Sequence, residues 1–529
     1  MKNIINKINS RIPAIIWVLL IYTAIMLFFG HYKVYLYEDE VLSYTAANYH
    51  SPNIGVRFDL SDRTMYDASD IMDAITVSEG ERFDYSNVVK NTSYDPHPPL
   101  FLFLLHTFSS LFPGVFSVWY GLAINIIFGL MTLFTLYLLA KEISGLKVFS
   151  IFVSLVFACL EAFVNISDYL RMYVMLGFFT LLLLLQYVKL LKKPADEKKP
   201  DLKAFAFLIL TTVFGTLTQY YFLVFAFYAA FFYEIVCLKR KQFKTALIHA
   251  LSYLISGGLV LLLFPSIIWQ MTQSHSATAS FELGSPTELI SRVYQMFVLL
   301  NLELFNGRVK WIILALIAFC IWHFVFHKEK NPLLRDIPLL PYLSVIWVAM
   351  MYYITVSATT PHLTVRYLSP VYAPVILIVL ILLRPVVDSI FAAKPVGYFA
   401  LLLVFSIGLI SEIKGGLYDV NKEIMQRTSL EYSNDYCILF TVSNPEENFF
   451  ELMNYKGFYR IHMSENEPID ERISSADELV IYVPEKRTLE ECVEYMQQFN
   501  PELKYTRHLY KAYYSDAYLL SINEDINEN

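Results

Sequence analysis

Three carboxylates, Glu38, Asp39 and Glu40, stand in a row just after an aromatic segment, Tyr32 to Tyr37, and an apolar one before it. A solvated loop is the ordinary setting for such a run. Here it lies within a few residues of a membrane-length segment, where a carboxylate can act as general base on a hydroxyl held beside it. A second segment is Asp95-Pro96-His97-Pro98-Pro99-Leu100. It reads as a turn into a proline-initiated helix, or as an imidazole at a helix N-terminus, where N–H groups and the dipole favour an anion. Both readings stay open. Two more segments, Asp168-Tyr169-Leu170-Arg171-Met172-Tyr173 and His362-Leu363-Thr364-Val365-Arg366-Tyr367, each set an arginine beside a tyrosine at the end of an apolar run. The aromatics alone fit an interfacial belt. An arginine, however, binds phosphate through two parallel hydrogen bonds. Thr218-Gln219-Tyr220-Tyr221 is a weaker polar cluster of the same kind.

Composition limits the elements that carry these residues. Of 529 residues, 56% are hydrophobic, 16% aromatic and 17% charged, against about 25% charged in soluble domains. A disordered chain would lack the apolar residues. A soluble nucleic-acid binder should be basic, whereas 41 Lys+Arg stand here against 48 Asp+Glu, a formal charge of -7. What remains is a polytopic membrane protein. A bilayer core takes about 20 mostly apolar residues per helix. The first run, Ile12 to Gly30, follows Lys2, Lys7 and Arg11 and lacks a small-residue cleavage signature. It therefore reads as an uncleaved span with a cytoplasmic N-terminus rather than as a signal peptide. Further spans are predicted near residues 116–140, 148–165, 172–191, 204–218, 220–238, 246–269, 309–327, 338–357, 367–384 and 395–412, about eleven in all.

Charge sets the orientation. The links at residues 141–147, 189–203, 239–244, 327–336 and 384–394 hold, with the N-terminus, nearly all the Lys and Arg outside two acidic regions. That makes the links cytoplasmic and the C-terminus extracytoplasmic. The apolar run Leu100 to Phe112 is too short to span and is laid in the outer interface. The acidic regions are residues 31–98, with 12 acids and 5 bases, and residues 413–529, with 22 and 11. Their net charges, -7 and -11, leave +11 for the rest of the chain (-7 - 11 + 11 = -7). Five basic residues, Arg171, Arg292, Arg308, Lys310 and Arg366, are stranded near the outer surface. Several cations there point to an anionic ligand, although one or two can be snorkelling anchors.

The expected organisation is a transmembrane domain over residues 1–412, with residues 31–98 as its first extracytoplasmic loop, and a soluble extracytoplasmic α/β domain over 413–529. In that tail Tyr436 to Thr441 and Glu478 to Val483 read as strands, Asn444 to Glu447 as a helix start, Thr488 to Glu491 as a capping box, and Tyr505 to Ile522 as a hairpin. The linker falls near Ile413 to Gln426. Cys159, Cys237 and Cys320 lie in spans, and Cys437 and Cys492 share the tail, where spacing alone does not decide for or against a disulfide.

The ordered set resembles a known family: a first span, an acidic pair in the first outer loop, a His-Pro-Pro-Leu interfacial helix, an Arg-x-Tyr span start and an Arg-Tyr-Leu-x-Pro late span. It is similar to the GT-C membrane glycosyltransferases of the protein O-mannosyltransferase and aminoarabinose-transferase type, including their dolichyl-phosphate-mannose-protein mannosyltransferase-like bacterial relatives. The resemblance covers roughly residues 10–385 and excludes the tail. It implies an all-α polytopic fold with a small C-terminal α/β domain, and a multi-pass location in the cell membrane. It also implies transfer of a hexosyl or pentosyl unit from a polyprenyl-phosphate donor to an extracytoplasmic glycan, lipid or protein acceptor, with inversion. On it, Asp39 is the general base and Glu40 its support. His97, Arg366 and Arg171 hold the phosphate, Tyr173, Tyr220 and Tyr367 line the lipid or sugar site, and His362 belongs to the same group. The additional Glu38 keeps the choice of base open. No cofactor follows from the residues, and a divalent metal is the one the resemblance leaves open, through its oligosaccharyl branch. The bilayer is a partner and nucleic acid is not. The alternative is a transporter or flippase of a lipid-linked or anionic substrate, which should show repeated halves and broken helices near the midplane; no repeat is visible.

Overall fold

The computed structural model describes residues 13–33, 36–50, 65–67, 73–93, 95–194, 199–274, 285–327, 333–334, 337–415, 436–440, 460–464, 475–484, 486–511 and 515–523. The helices, in chain order, are α1 (Ile15–Tyr32), α2 (Glu38–Asn48), α3 (Tyr85–Thr92), α4 (Leu100–Leu111), α5 (Val118–Ser144) and α6 (Lys147–Ala158). Next come α7 (Glu161–Asp168), α8 (Tyr173–Leu191), α9 (Leu202–Thr218), α10 (Tyr221–Lys239), α11 (Phe243–Leu263) and α12 (Ile267–Thr272). The last are α13 (Pro286–Phe305), α14 (Val309–His327), α15 (Leu339–Thr359), α16 (Ser369–Ile390), α17 (Lys394–Gly415) and α18 (Leu489–Gln497). The chain forms two compact units, one of residues 1–30, 92–101 and 121–415, the other of residues 31–91, 102–120 and 416–529.

The first unit is helical. Among the described residues nine helices are long and apolar enough to cross a bilayer, and the bent pair α6 and α7 makes a tenth. The remaining expected span, α9, has 17 residues, and α4 is a 12-residue apolar helix, as its length required. The span expected at 148–165 is not straight: α6 and α7 meet at 57° across Cys159 and Leu160. Glu161 explains the break. It opens α7, where a carboxylate favours the helix N-terminus, and it accepts a hydrogen bond from Asn306 Nδ2 at 2.9 Å. The burial of α8 (83% of its apolar window) against that of α14 (6%) makes α8 the central post and α14 a lipid-facing helix. Helices α9, α10, α15 and α16 all pack on α8. Tyr22 of α1 fits against Gly129 of α5, where a Cβ would fall 2.0 Å from the phenol oxygen, and the hydroxyl donates to Ser167 of α7 at 2.9 Å.

The second unit contains both acidic stretches. Its sheet runs β1 (Met65–Asp67), β3 (Arg460–Ser464), β2 (Tyr436–Phe440), β4 (Glu478–Pro484), β6 (Ser515–Ser521), β5 (Lys504–Lys511). The middle strands β3, β2 and β4 are parallel, and the flanking pairs are antiparallel. The edge strand β1 comes from the first loop, pairing Met65 with His462 and Asp67 with Arg460. The tail's sheet is thus completed by a segment nearly 400 residues upstream (460 - 67 = 393). Helix α18 covers one face, burying Cys492 and Met496 against Ile438, Phe440, Leu479 and Ile481. The expected capping box is present: Thr488 Oγ1 accepts from Glu491 N at 3.3 Å, and Thr488 N donates to Glu491 Oε2 at 3.2 Å. The expected hairpin is β5–β6. Cys437 and Cys492 are buried free thiols. The helix start at Asn444 to Glu447 and most of the linker lie outside the described residues.

Candidate functional site

In the first unit the site is built on one turn. Residues 169–172 join α7 to α8, and Asn125 of α5 pins them by donating to Ser167 O at 3.1 Å and Tyr169 O at 2.7 Å. The amide N–H of Arg171 donates to Tyr169 O at 2.7 Å, closing the turn tightly. This sends Tyr169 and Arg171 out of the same few backbone atoms, and each leads to a cluster of sequence-predicted site residues.

Arg366 lies on a short 3-10 turn, Val365–Leu368, ahead of α16. Its guanidinium carbon stands 5.5 Å from the ring centre of Tyr169, 5.9 Å from that of Tyr173 and 5.7 Å from that of Tyr367. Nη1 donates to Tyr169 Oη at 2.5 Å. The rings also support one another. Tyr169 and Tyr173 stack at 6.0 Å, Tyr173 and Tyr367 meet edge-on at 6.1 Å, and Tyr221 lies 5.1 Å from Tyr367. Such a cage neutralises no charge, because ring quadrupoles attract a cation without supplying a counterion. It orients the guanidinium.

The second cluster leaves the turn through Arg171, which is buried. Its Nη2 lies 3.1 Å from His97 Nε2. The other ring nitrogen of His97 lies 2.6 Å from Asp95 Oδ1, which also accepts the His97 amide at 2.9 Å. With an arginine donating to Nε2, the imidazole proton sits on Nδ1 and points at the aspartate. The segment is held from behind by Gln270 of α12, whose Nε2 donates to Thr92 O at 2.5 Å and reaches His97 O at 3.5 Å. The Tyr220 hydroxyl donates to Gln270 Oε1. Tyr220 therefore supports the His97 segment rather than the tyrosine cage. His97, Arg171, Tyr173, Arg366 and Tyr367 are connected through this one turn. His362 has an exposed side chain and contributes its carbonyl, to Thr360 Oγ1 at 3.0 Å. Tyr169 and Gln270 were not singled out. Tyr169 stood inside the quoted motif, and Gln270 carried no signal.

The other stranded cations divide. Arg292 of α13 donates to Thr360 O. Arg308 Nη1 reaches Asn306 Oδ1 at 3.4 Å. Lys310 Nζ lies 5.4 Å over the Trp311 ring, the arrangement of an interfacial anchor.

Asp39 and Glu40 belong to the second unit, in the first turn of α2. Glu40 is wholly buried, and both its oxygens are engaged. Oε1 lies 3.0 Å from Lys33 Nζ, and Oε2 accepts the Tyr37 amide at 2.6 Å as the reciprocal half of a helix cap. Asp39, one residue earlier, is half-buried. At the far end of α2, His106 of α4 is held by Ala47 O at 2.9 Å, and burial lowers its pKa. Among the described residues no three His, Cys, Asp or Glu side chains come together as a metal site.

No protein-family model matches the chain, and no curated protein matches it. Solved structures do. The chain is similar to ArnT from Cupriavidus metallidurans bound to undecaprenyl phosphate, with a TM-score of 0.48 and 12% identity over 96% of this chain and 98% of that one. It is also similar to the oligosaccharyltransferase of Archaeoglobus fulgidus in complex with Zn and sulfate, with a TM-score of 0.45 and 12% identity over 96% of this chain and 72% of that one.

Proposed function

We propose that this protein is an integral membrane glycosyltransferase that moves a sugar from a polyprenyl-phosphate donor to an extracytoplasmic acceptor. The observation that carries the reading is the single turn at residues 169–172. It feeds an arginine caged by tyrosines, Arg366, and an Arg171–His97–Asp95 chain. Two guanidinium groups reached from one turn fit the phosphodiester of a lipid-linked sugar, which arginine grips bidentately. The stacked tyrosines fit the apolar lipid or the sugar beside it.

The chemistry follows from the donor. The acceptor hydroxyl attacks the anomeric carbon and its proton passes to Asp39. The bond between that carbon and the phosphate oxygen breaks, and the electron pair leaves on the lipid phosphate. Attack opposite the leaving group inverts the anomeric centre. Arg366 and Arg171 stabilise the charge that grows on the phosphate. No nucleotide site is required, because the lipid phosphate is itself the leaving group.

The test is transfer from a labelled polyprenyl-phosphate sugar by membranes carrying Asp39→Asn or Arg366→Ala. Loss of transfer with donor binding intact in Asp39→Asn, and weakened donor binding in Arg366→Ala, is the expected pair of results. Transfer in Asp39→Asn at the wild-type rate overturns the base. Untouched donor affinity in Arg366→Ala removes the phosphate site.

A further inference from the structure

We infer that Tyr352 and Tyr372 are positioning residues for Arg366: their hydroxyls hold the two carbonyls that flank it. The inference rests on reading Arg366 as a holder of the donor's phosphate. The rings around the guanidinium are those of Tyr169, Tyr173 and Tyr367, whereas Tyr352 and Tyr372 act on the backbone.

The local sequence creates the need. Arg366-Tyr367-Leu368-Ser369-Pro370 leads from the 3-10 turn into α16. Pro370 has no N–H, so it cannot give Arg366 O the donor that an α-helix would place four residues on. The Ser369 amide bonds that carbonyl instead, one residue sooner. That is 3-10 spacing, with poorer hydrogen-bond geometry than an α-helix, and a loose mount for a long side chain.

Two hydroxyls brace it. Tyr372 of α16 donates to Val365 O at 3.1 Å, and Tyr352 of α15 donates to Tyr367 O at 2.8 Å. With Ser369 on Arg366 O, three consecutive carbonyls centred on Arg366 are held. Both tyrosines are buried, at 0% and 1% exposure, on helices that pack on each other and on α8. A buried phenol needs an acceptor somewhere. What is specific here is that both acceptors are the immediate neighbours of one arginine. The Tyr352 ring also meets Phe225 of α10 edge-on at 5.7 Å, a contact that does not use the hydroxyl. The approach to the turn is fixed as well. Arg292 and the Thr360 hydroxyl hold Thr360 O and His362 O in succession, and the Thr364 amide donates to His362 O at 2.9 Å.

The consequence is for orientation. Bidentate contact with a phosphate needs the planar guanidinium at one angle. A peptide plane freed beside Arg366 turns the whole side chain, and a small misplacement of a positioned group is costly.

The experiment is equilibrium binding of a labelled polyprenyl phosphate to full-length protein in lipid nanodiscs, with thermal unfolding measured alongside. Tyr352→Phe and Tyr372→Phe keep the rings and remove the donors. Each should weaken binding roughly three- to tenfold, the range of one ordinary hydrogen bond. In an Arg366→Ala background each should change affinity by less than about twofold, because residues that act through one group are not additive. Tyrosines that only support the fold would weaken binding by the same factor with or without Arg366, and that outcome overturns the inference. So does wild-type affinity in both single variants while Arg366→Ala loses binding. If one variant does not fold, the other decides; if neither folds, the hydroxyls are supports of the fold and the inference fails. Undiminished affinity in Arg366→Ala alone refutes the phosphate reading itself.

Discussion

Arg366 gives the sharpest perturbation in the first unit, because the cage separates its charge from its orientation. Three tyrosine rings lie within 6 Å of its guanidinium, and one phenol accepts from Nη1. Each ring contributes about 0.5–1 kcal/mol at an exposed site and about 2 when desolvated. A hydrogen bond to a charged group contributes about 1.5–3 kcal/mol. The three rings share one cation, so their sum is not additive, and the low end is the safer guide: about 3 kcal/mol in total for holding the group in one orientation. Arg366→Lys keeps the charge and loses the planar fork, and it should weaken polyprenyl-phosphate binding roughly ten- to thirtyfold, at about 1.4 kcal/mol per factor of ten. Arg366→Ala removes both and should cost about a hundredfold. Tyr169→Phe keeps the ring and removes the acceptor, and it should fall near the lysine variant. The assay is equilibrium binding of a labelled polyprenyl phosphate in nanodiscs, with thermal unfolding measured in parallel to confirm folding. An affinity in folded Arg366→Ala within about twofold of wild type would refute the reasoning outright.

Two other outcomes test the fold and its pH response. Gly129→Ala puts a methyl group 2.0 Å from the Tyr22 hydroxyl oxygen, so α1 and α5 must separate or Tyr22 must leave Ser167. Overpacking of this kind costs about 1–3 kcal/mol; thermal unfolding should show the loss, and adding Tyr22→Phe should recover part of it. His106 is one pH-sensitive group: burial lowers its folded pKa below the unfolded value of about 6.5, so the unfolded chain binds the proton more readily. Its contribution is therefore complete above about pH 6.5 and is lost as pH falls toward the lower folded value. Unfolding midpoints should drop on acidification below about 6.5, and His106→Leu should flatten that slope; an equally steep slope in the variant would remove His106 as its source.

Much of this architecture was legible because long apolar runs leave few alternatives. Helices over the expected spans appear, down to the 17-residue α9, and the short run after His97-Pro98-Pro99 is the 12-residue α4. The hairpin and the Thr488 capping box were equally local signals. The break between α6 and α7 was not legible, because Cys159 and Leu160 continue the apolar pattern and only Glu161 interrupts it. The edge strand β1 is three residues long and finds its partner nearly 400 residues away, which no periodicity can announce. Within the candidate site the arginines were recognisable as misplaced cations, and His97 by its place ahead of a proline-initiated helix. Their routes were not: that Arg366 leans on Tyr169, and that Tyr220 braces Gln270 instead of joining the cage, depends on contacts between distant segments. Glu40 shows the same limit. Sequence adjacency to Asp39 paired the two acids, whereas folding pairs Glu40 with Lys33.

The most direct measurement of the central claim is single-turnover transfer of a labelled sugar from polyprenyl phosphate by Asp39→Asn in nanodiscs, with donor binding quantified in the same sample. Asparagine keeps the size of the side chain and cannot take the acceptor's proton. The account predicts transfer reduced at least a hundredfold, the lower end of a general base's contribution, with donor affinity unchanged. Transfer at the wild-type rate with donor bound would contradict it.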